Sequence, residues 1–170
     1  DYVLDTDAAV TMTVGTIDLT GLAPGPHSIK VTDNETGCPK TITGDFFCQF
    51  NFLTSLRYGP NTLRGRYFCS YNLLKSLQGI PQNFLNDVIC NNNKLISLKG
   101  APKVVRNIDI SDNLLTNINF LPKIILEDLT CRGNQFENLN SLGQVYGAIY
   151  ADDTLVLQHN RSVGIAYILS

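Results

Sequence analysis

The sequence predicts a mostly β solenoid, in which short coils stack and each adds a strand to a parallel sheet. Three observations carry that prediction. The first is a period: Asn51, Asn72, Asn93, Asn113 and Asn134 follow one another at intervals of 21, 21, 20 and 21 residues. Self-similarity at a fixed spacing of about 20 to 50 residues marks a repeat architecture. The second is that apolar residues hold fixed offsets from each Asn. Five and three residues before it stand Phe46 and Cys48, Tyr67 and Cys69, Val88 and Cys90, Ile108 and Ile110, Leu129 and Cys131. Two and five residues after it stand Leu53 and Leu56, Leu74 and Leu77, Leu95 and Leu98, Leu115 and Ile118, Phe136 and Leu139. The third is a proline nine residues after the first four Asn, at Pro60, Pro81, Pro102 and Pro122.

Each element follows in chain order. Residues 1–37 have no leucine repeat but alternate polar and apolar residues over Val10 to Val14 and Ser28 to Thr32. A turn-rich run from Gly21 to Pro26 joins the two, so this part reads as a β-rich N-terminal cap or subdomain. Residues 38–152 carry the array, five clear repeats and a degenerate sixth. Alternation at Ile108, Asp109 and Ile110 sends two apolar side chains inward and one polar one out, as a short strand requires. The Asn after it can bond backbone groups of its own and the next coil, where no ladder partner exists. Proline then stiffens an extended or 3-10 convex side. Gly147 to Ala151 reads as the sixth strand with Ile149 inward, and residues 153–170 as a C-terminal β cap. There Thr154 to Leu157 and Val163 to Leu169 would form a hairpin around His159, Asn160 and Arg161. Such coils need neighbours and capped ends to bury their apolar faces.

The segment Val105 to Leu115 reads L-x-x-L-x-L-x-x-N-x-L, with Val105, Ile108, Ile110, Asn113 and Leu115 in the key places, and Leu85 to Leu95 and Leu126 to Phe136 fit the same register. This resembles the leucine-rich repeat, in its short bacterial-type class. Gly21 to Cys38, with its Leu22-Ala23-Pro24-Gly25 turn, resembles in part the last strands of immunoglobulin-like modules of bacterial and phage surface proteins.

The chemistry-bearing residues give little sign of catalysis. Cys48, Cys69, Cys90 and Cys131 share one inward place in different coils, a column of small apolar fillers rather than a disulfide framework. Cys38, before Pro39, is left open as free or paired. A zinc site is not expected, because the cysteines are a repeat apart and His27 and His159 lie outside the array. There is no G-x-S-x-G, P-loop or H-E-x-x-H pattern. No cofactor or metal is expected, and the chain is not expected to be an enzyme. Asp87, Asp109, Asp112 and Asp128 are expected on the strand face as a solvated acidic patch.

Residues between and just after the inward positions must point out of the concave side, giving the rows Phe47, Phe68, Ile89, Asp109, Thr130 and Phe50, Tyr71, Asn92, Asp112, Gly133. Phe47, Phe50, Phe68 and Tyr71 form an aromatic cluster of the kind that marks interface centres. Ile89 extends it, and Asp109, Asp112 and Arg132 supply a polar rim. Either another protein covers these rings or the N-terminal cap folds over them.

Composition narrows the partners. Of the 170 residues 16% are charged, against ~25% in an average soluble domain, and the net charge is -2. No basic field exists to attract nucleic acid, and no apolar run is long enough for membrane insertion by a helix. The sequons at Asn34 and Asn160 matter only in a eukaryotic secretory route, which buried unpaired cysteines argue against. A start at Asp1 is expected of a processed product or a portion of something longer.

The set Cys90, Asn93, Leu95, Leu98, Gly100 and Pro102 resembles the short leucine-rich proteins of large tailed bacteriophages, over roughly residues 38–152. That resemblance implies a rigid non-enzymatic scaffold for protein–protein interaction, located in the virion as a head decoration, tail or fibre part, with neighbouring virion subunits as partners. The alternative is the recognition domain of a bacterial cell-surface adhesin or a secreted effector.

Overall fold

A computed structural model describes the backbone of residues 2–4, 9–10, 17–18 and 29–31 and all of residues 41–152 except 58. Every regular element among the described residues is a strand. Ile17–Asp18, Phe46–Phe47, Tyr67–Phe68, Val88–Ile89, Ile108–Asp109, Leu129–Thr130 and Ile149–Tyr150 lie side by side in that order as one parallel sheet. The molecule is a β-solenoid. Its rungs are in register because the period is: each strand pairs its neighbour one repeat away, as in Tyr67↔Val88 and Phe68↔Ile89.

Alternation within each strand separates the two sides. Phe46, Tyr67, Val88, Ile108 and Leu129 face inward and are enclosed, as are Cys48, Cys69, Cys90, Ile110 and Cys131. Leu53, Leu74, Leu95 and Leu115, with Leu56, Leu77, Leu98, Ile118 and Leu139, fill the interior from the opposite wall. Ile149 is inward in the sixth strand, as the sequence predicts. The four described cysteines are free thiols. Burial pushes the Cys48 thiol up and that of Cys131 up to about 12, so both stay protonated and unreactive at neutral pH.

The Asn column ties adjacent coils together. Asn93 Nδ2 donates to Cys69 O of the preceding coil at 3.0 Å, and to Cys90 O at 3.1 Å and Asn91 O at 3.3 Å in its own. Its Oδ1 accepts from Leu74 N at 3.1 Å. Asn72, Asn113 and Asn134 repeat the arrangement. The inter-coil bonds thus reach the preceding coil, whereas the sequence reading pointed them to the next. The column supplies donors and acceptors where the chain turns away from its sheet, and so satisfies backbone groups that burial would otherwise strand.

One part of the predicted register is corrected. Leu85 and Leu126, expected inward, are 63% and 46% exposed, while their neighbours Phe84 and Ile125 are buried. The inward residue stands four places before the next inward strand residue in the pairs Ile42 and Phe46, Leu63 and Tyr67, Phe84 and Val88, Ile125 and Leu129, but three before it in Val105 and Ile108. The 20-residue repeat has lost one residue from this turn, and the others keep it. Short strands stack just before the turn, Thr41–Ile42 with Thr62–Leu63, and Val104–Val105 with Ile124–Ile125 and Gln144–Val145.

In the N-terminal part, Tyr2–Leu4 pairs antiparallel with Ala9–Val10 and Ile29–Val31, and Ile17–Asp18 adds a parallel rung beside Phe46–Phe47. Ile29–Val31 lies within the alternating stretch read from sequence. The rest of the Gly21–Cys38 resemblance, the state of Cys38, both sequons and the 153–170 cap lie outside the described residues.

Candidate functional site

The outward rows of the strand side place the predicted residues as expected. Phe47 and Phe68 are half-buried and stack at 4.6 Å between ring centroids, 11° from parallel. Phe50 and Tyr71 stack at 4.6 Å and 15°. Both stacks follow from in-register strands, which set equivalent side chains of adjacent coils side by side. Phe50 is 57% exposed and Tyr71 47%; the alternative in which the N-terminal cap folds over these rings falls on residues outside the described ones. Ile89 continues the first row, half-buried.

The second row sits on unusual backbone. Phe50, Tyr71, Asn92 and Asp112 have φ of 59°, 55°, 54° and 52°, and Gly133 has 64°. Each coil makes the same left-handed step just before its Asn. Asn, Asp and Gly adopt that conformation readily, but a bulky ring there costs of order 1–3 kcal/mol. The sequence reading recognised the row but not its conformation. The triplet Asn92, Asp112 and Gly133 carried the signal.

Between this row and the outward residues on the far side of the Asn column runs a groove of about 470 Å³. Its walls are Phe50 and Tyr71 on one side and Phe52 and Leu73 on the other, and Asn51, Asn72 and Asn93 line it as well. Lys94, Asn92 and Asp112 make the groove polar in the later coils. Phe52 and Leu73, both exposed, were not singled out from sequence, because the position after Asn is outward in every coil and varies from Phe52 to Gln135.

The acidic residues divide in two. Asp109 Oδ1 accepts from Ser111 N and Oγ at 2.9 and 2.6 Å, and Asp112 Oδ2 accepts from Asn92 Nδ2 at 3.4 Å; both belong to the outward rows. Asp87 and Asp128, expected beside them, instead lie in the turn before the strand. There they bond neighbouring coils, Asp87 to the side chains of Arg106 and Asn107 and Asp128 to Ala148 N. The Arg106 guanidinium holds the Asp87 carboxyl below the usual range. Asp45 makes the same pairing with Arg66 at 2.7 Å. Burial pushes the Asp45 carboxyl up, but its bonds to Arg66 leave it lowered. Arg66 also lies 5.0 Å from the Phe68 ring, and Arg132 lies 5.9 Å from Tyr150, both within cation–π range.

The first two coils therefore present neutral aromatic surface, their Asp45 paired, and the later ones present unpaired carboxylates. Among the described residues no three His, Cys, Asp or Glu side chains converge as metal ligands, and no helix is long and apolar enough to cross a membrane. No family model, curated protein or solved structure matches the chain.

Proposed function

We propose that the chain is a non-enzymatic scaffold that binds another protein through the aromatic strand side of its first two coils. Following its resemblance to leucine-rich proteins of tailed phages, we propose a virion subunit as that partner. One observation carries the docking reading: Phe50 and Tyr71 are exposed, stacked on each other, and held in left-handed backbone that Asn or Gly would adopt without strain. Strain of this kind persists where function demands the side chain. Rigid aromatics in a shared stack lose little entropy on docking, which suits them to the centre of an interface.

The test is a double variant, Phe68→Ser with Tyr71→Ser. Melting should fall by no more than about 5 °C, since these rings are not in the enclosed core. Affinity for the partner should fall about 30-fold or more, corresponding to the loss of about 2 kcal/mol at an interface centre. Proteins that co-purify with the wild-type chain from its source should be lost from the variant. Retention of the same set at the same affinity would sink the reading.

A further inference from the structure

Charge is divided between the two sides of the solenoid. Among residues 41–152, Lys75, Lys94, Lys99, Lys103 and Lys123 all lie on the return segments that follow each Asn, and all are exposed; Lys94, directly after Asn93, borders the strand-side groove beside Asn92 and Asp112, and the other four lie farther along. Among the described residues the strands of the parallel sheet and the turns before them carry no lysine. Their cations are Arg64, Arg66, Arg106 and Arg132, of which Arg66 and Arg106 are committed to Asp45 and Asp87. The unpaired carboxylates of Asp109, Asp112, Asp128 and Asp152 are on that strand-and-turn side, whereas the only return-segment acid among the described residues is Glu137. None of these five lysines takes part in an ion pair. The lysine side also has an apolar centre. Phe120, 63% exposed and at φ 67°, lies with Ala101, Pro102 and Leu121 along a groove of about 290 Å³ flanked by Lys103 and Lys123.

We propose that the lysine-bearing return side of one copy docks on the acidic and aromatic strand side of a second copy, so that the chain associates with itself. This rests on the strand side being a docking surface and names a second copy as its occupant. Each side has what the other lacks: cations around an exposed phenylalanine on one, carboxylates beside exposed rings on the other. Both sides also share one repeat, so rungs on two copies are commensurate, about 4.8 Å apart, and several opposite charges meet together. Different patches meeting in this way make a heterologous contact, which builds a ring or an open row rather than a closed dimer.

Charge-swapped copies test it. In sedimentation velocity at about 0.02 M salt, where screening reaches only beyond ~20 Å, the full chain should form concentration-dependent oligomers that dissociate in 0.5 M salt. Lys103→Glu with Lys123→Glu should weaken association about tenfold or more by setting acid against acid, and Asp109→Lys with Asp112→Lys should do so by setting base against base. Mixing the two variants in equal amounts should restore it, because each now complements the other on both sides. A chain that stays monomeric at low salt, or a mixture that fails to reassociate, overturns the proposal. In that case Phe68→Ser with Tyr71→Ser still decides separately whether the strand side binds a different protein.

Discussion

The Asn51 and Asn72 coils and the Asn113 and Asn134 coils are built alike inside and differently outside. Inside, both pairs set an aromatic or aliphatic residue, a thiol or Ile110, and an amide at equal spacing. Outside, the same two rows hold Phe47, Phe68, Phe50 and Tyr71 in the first pair but Asp109, Thr130, Asp112 and Gly133 in the second. Backbone φ in the second row differs by 12° at most across all five coils, so the scaffold offers an identical place and the sequence varies what stands in it. Shape is a property of the inward rows, and recognition of the outward ones.

That division predicts where substitutions hurt. Asn93→Ala strands Leu74 N inside the stack and removes one of the two amide donors to each of Cys69 O and Cys90 O, which keep Asn72 and Asn113, and should cost about 1–3 kcal/mol in urea unfolding. Asn72→Ala and Asn113→Ala should cost as much, although the coils around them differ outside. Asn134, less buried at the end of the column, should cost less. Asn91→Ala removes only the bond from Ser70 Oγ and should fall well below the others. Equal losses at Asn91 and Asn93 would mean that the amide column does not hold the coils together.

The inward rows were legible from sequence because they repeat, and five copies of one spacing leave little freedom. Phe46 through Leu129, the cysteine column and the buried amides all stand where the period puts them. The one error of register has a physical source. Phe84-Leu85 and Ile125-Leu126 are adjacent apolar pairs, and either member could face inward. Turn length decides between them, and a turn of three residues leaves no mark in the apolar pattern that a turn of two would not. The outward rows were legible as positions but not as an organised surface. The left-handed step was masked because Phe50 and Tyr71 are poor residues for it, and the pairing of Asp87 with Arg106 crosses coils through residues outside the repeat signature.

The turn that holds Asp87, between the two pairs of coils, makes stability depend on pH. With its folded pKa below the unfolded value of about 3.9, the Asp87 carboxylate contributes stability above about pH 4 and loses it as pH falls through the folded value. The wild type should therefore exceed Asp87→Asn in stability at pH 7, and the difference should close toward about pH 2, measured by urea unfolding across the range. A difference between wild type and Asp87→Asn that persists at about pH 2 would mean that shape, not charge, accounts for Asp87.

The smallest change in stability should come from the position that matters most for docking. Phe50→Asn relieves left-handed strain of order 1–3 kcal/mol but gives up a stack on Tyr71 worth about 0.5–1.5 kcal/mol and the burial of part of a ring. These terms oppose each other, so unfolding free energy should move by less than about 1 kcal/mol in either direction. The substitution reproduces what the Asn93 coil already has at Asn92, with φ unchanged within a few degrees. Affinity for a partner seated on the rings should nevertheless fall about tenfold or more. If Phe50→Asn instead costs more than about 2 kcal/mol of folding stability, beyond what losing the stack explains, then the rings support the first coil. The aromatic surface would then be the solenoid's way of ending a core rather than of meeting a partner.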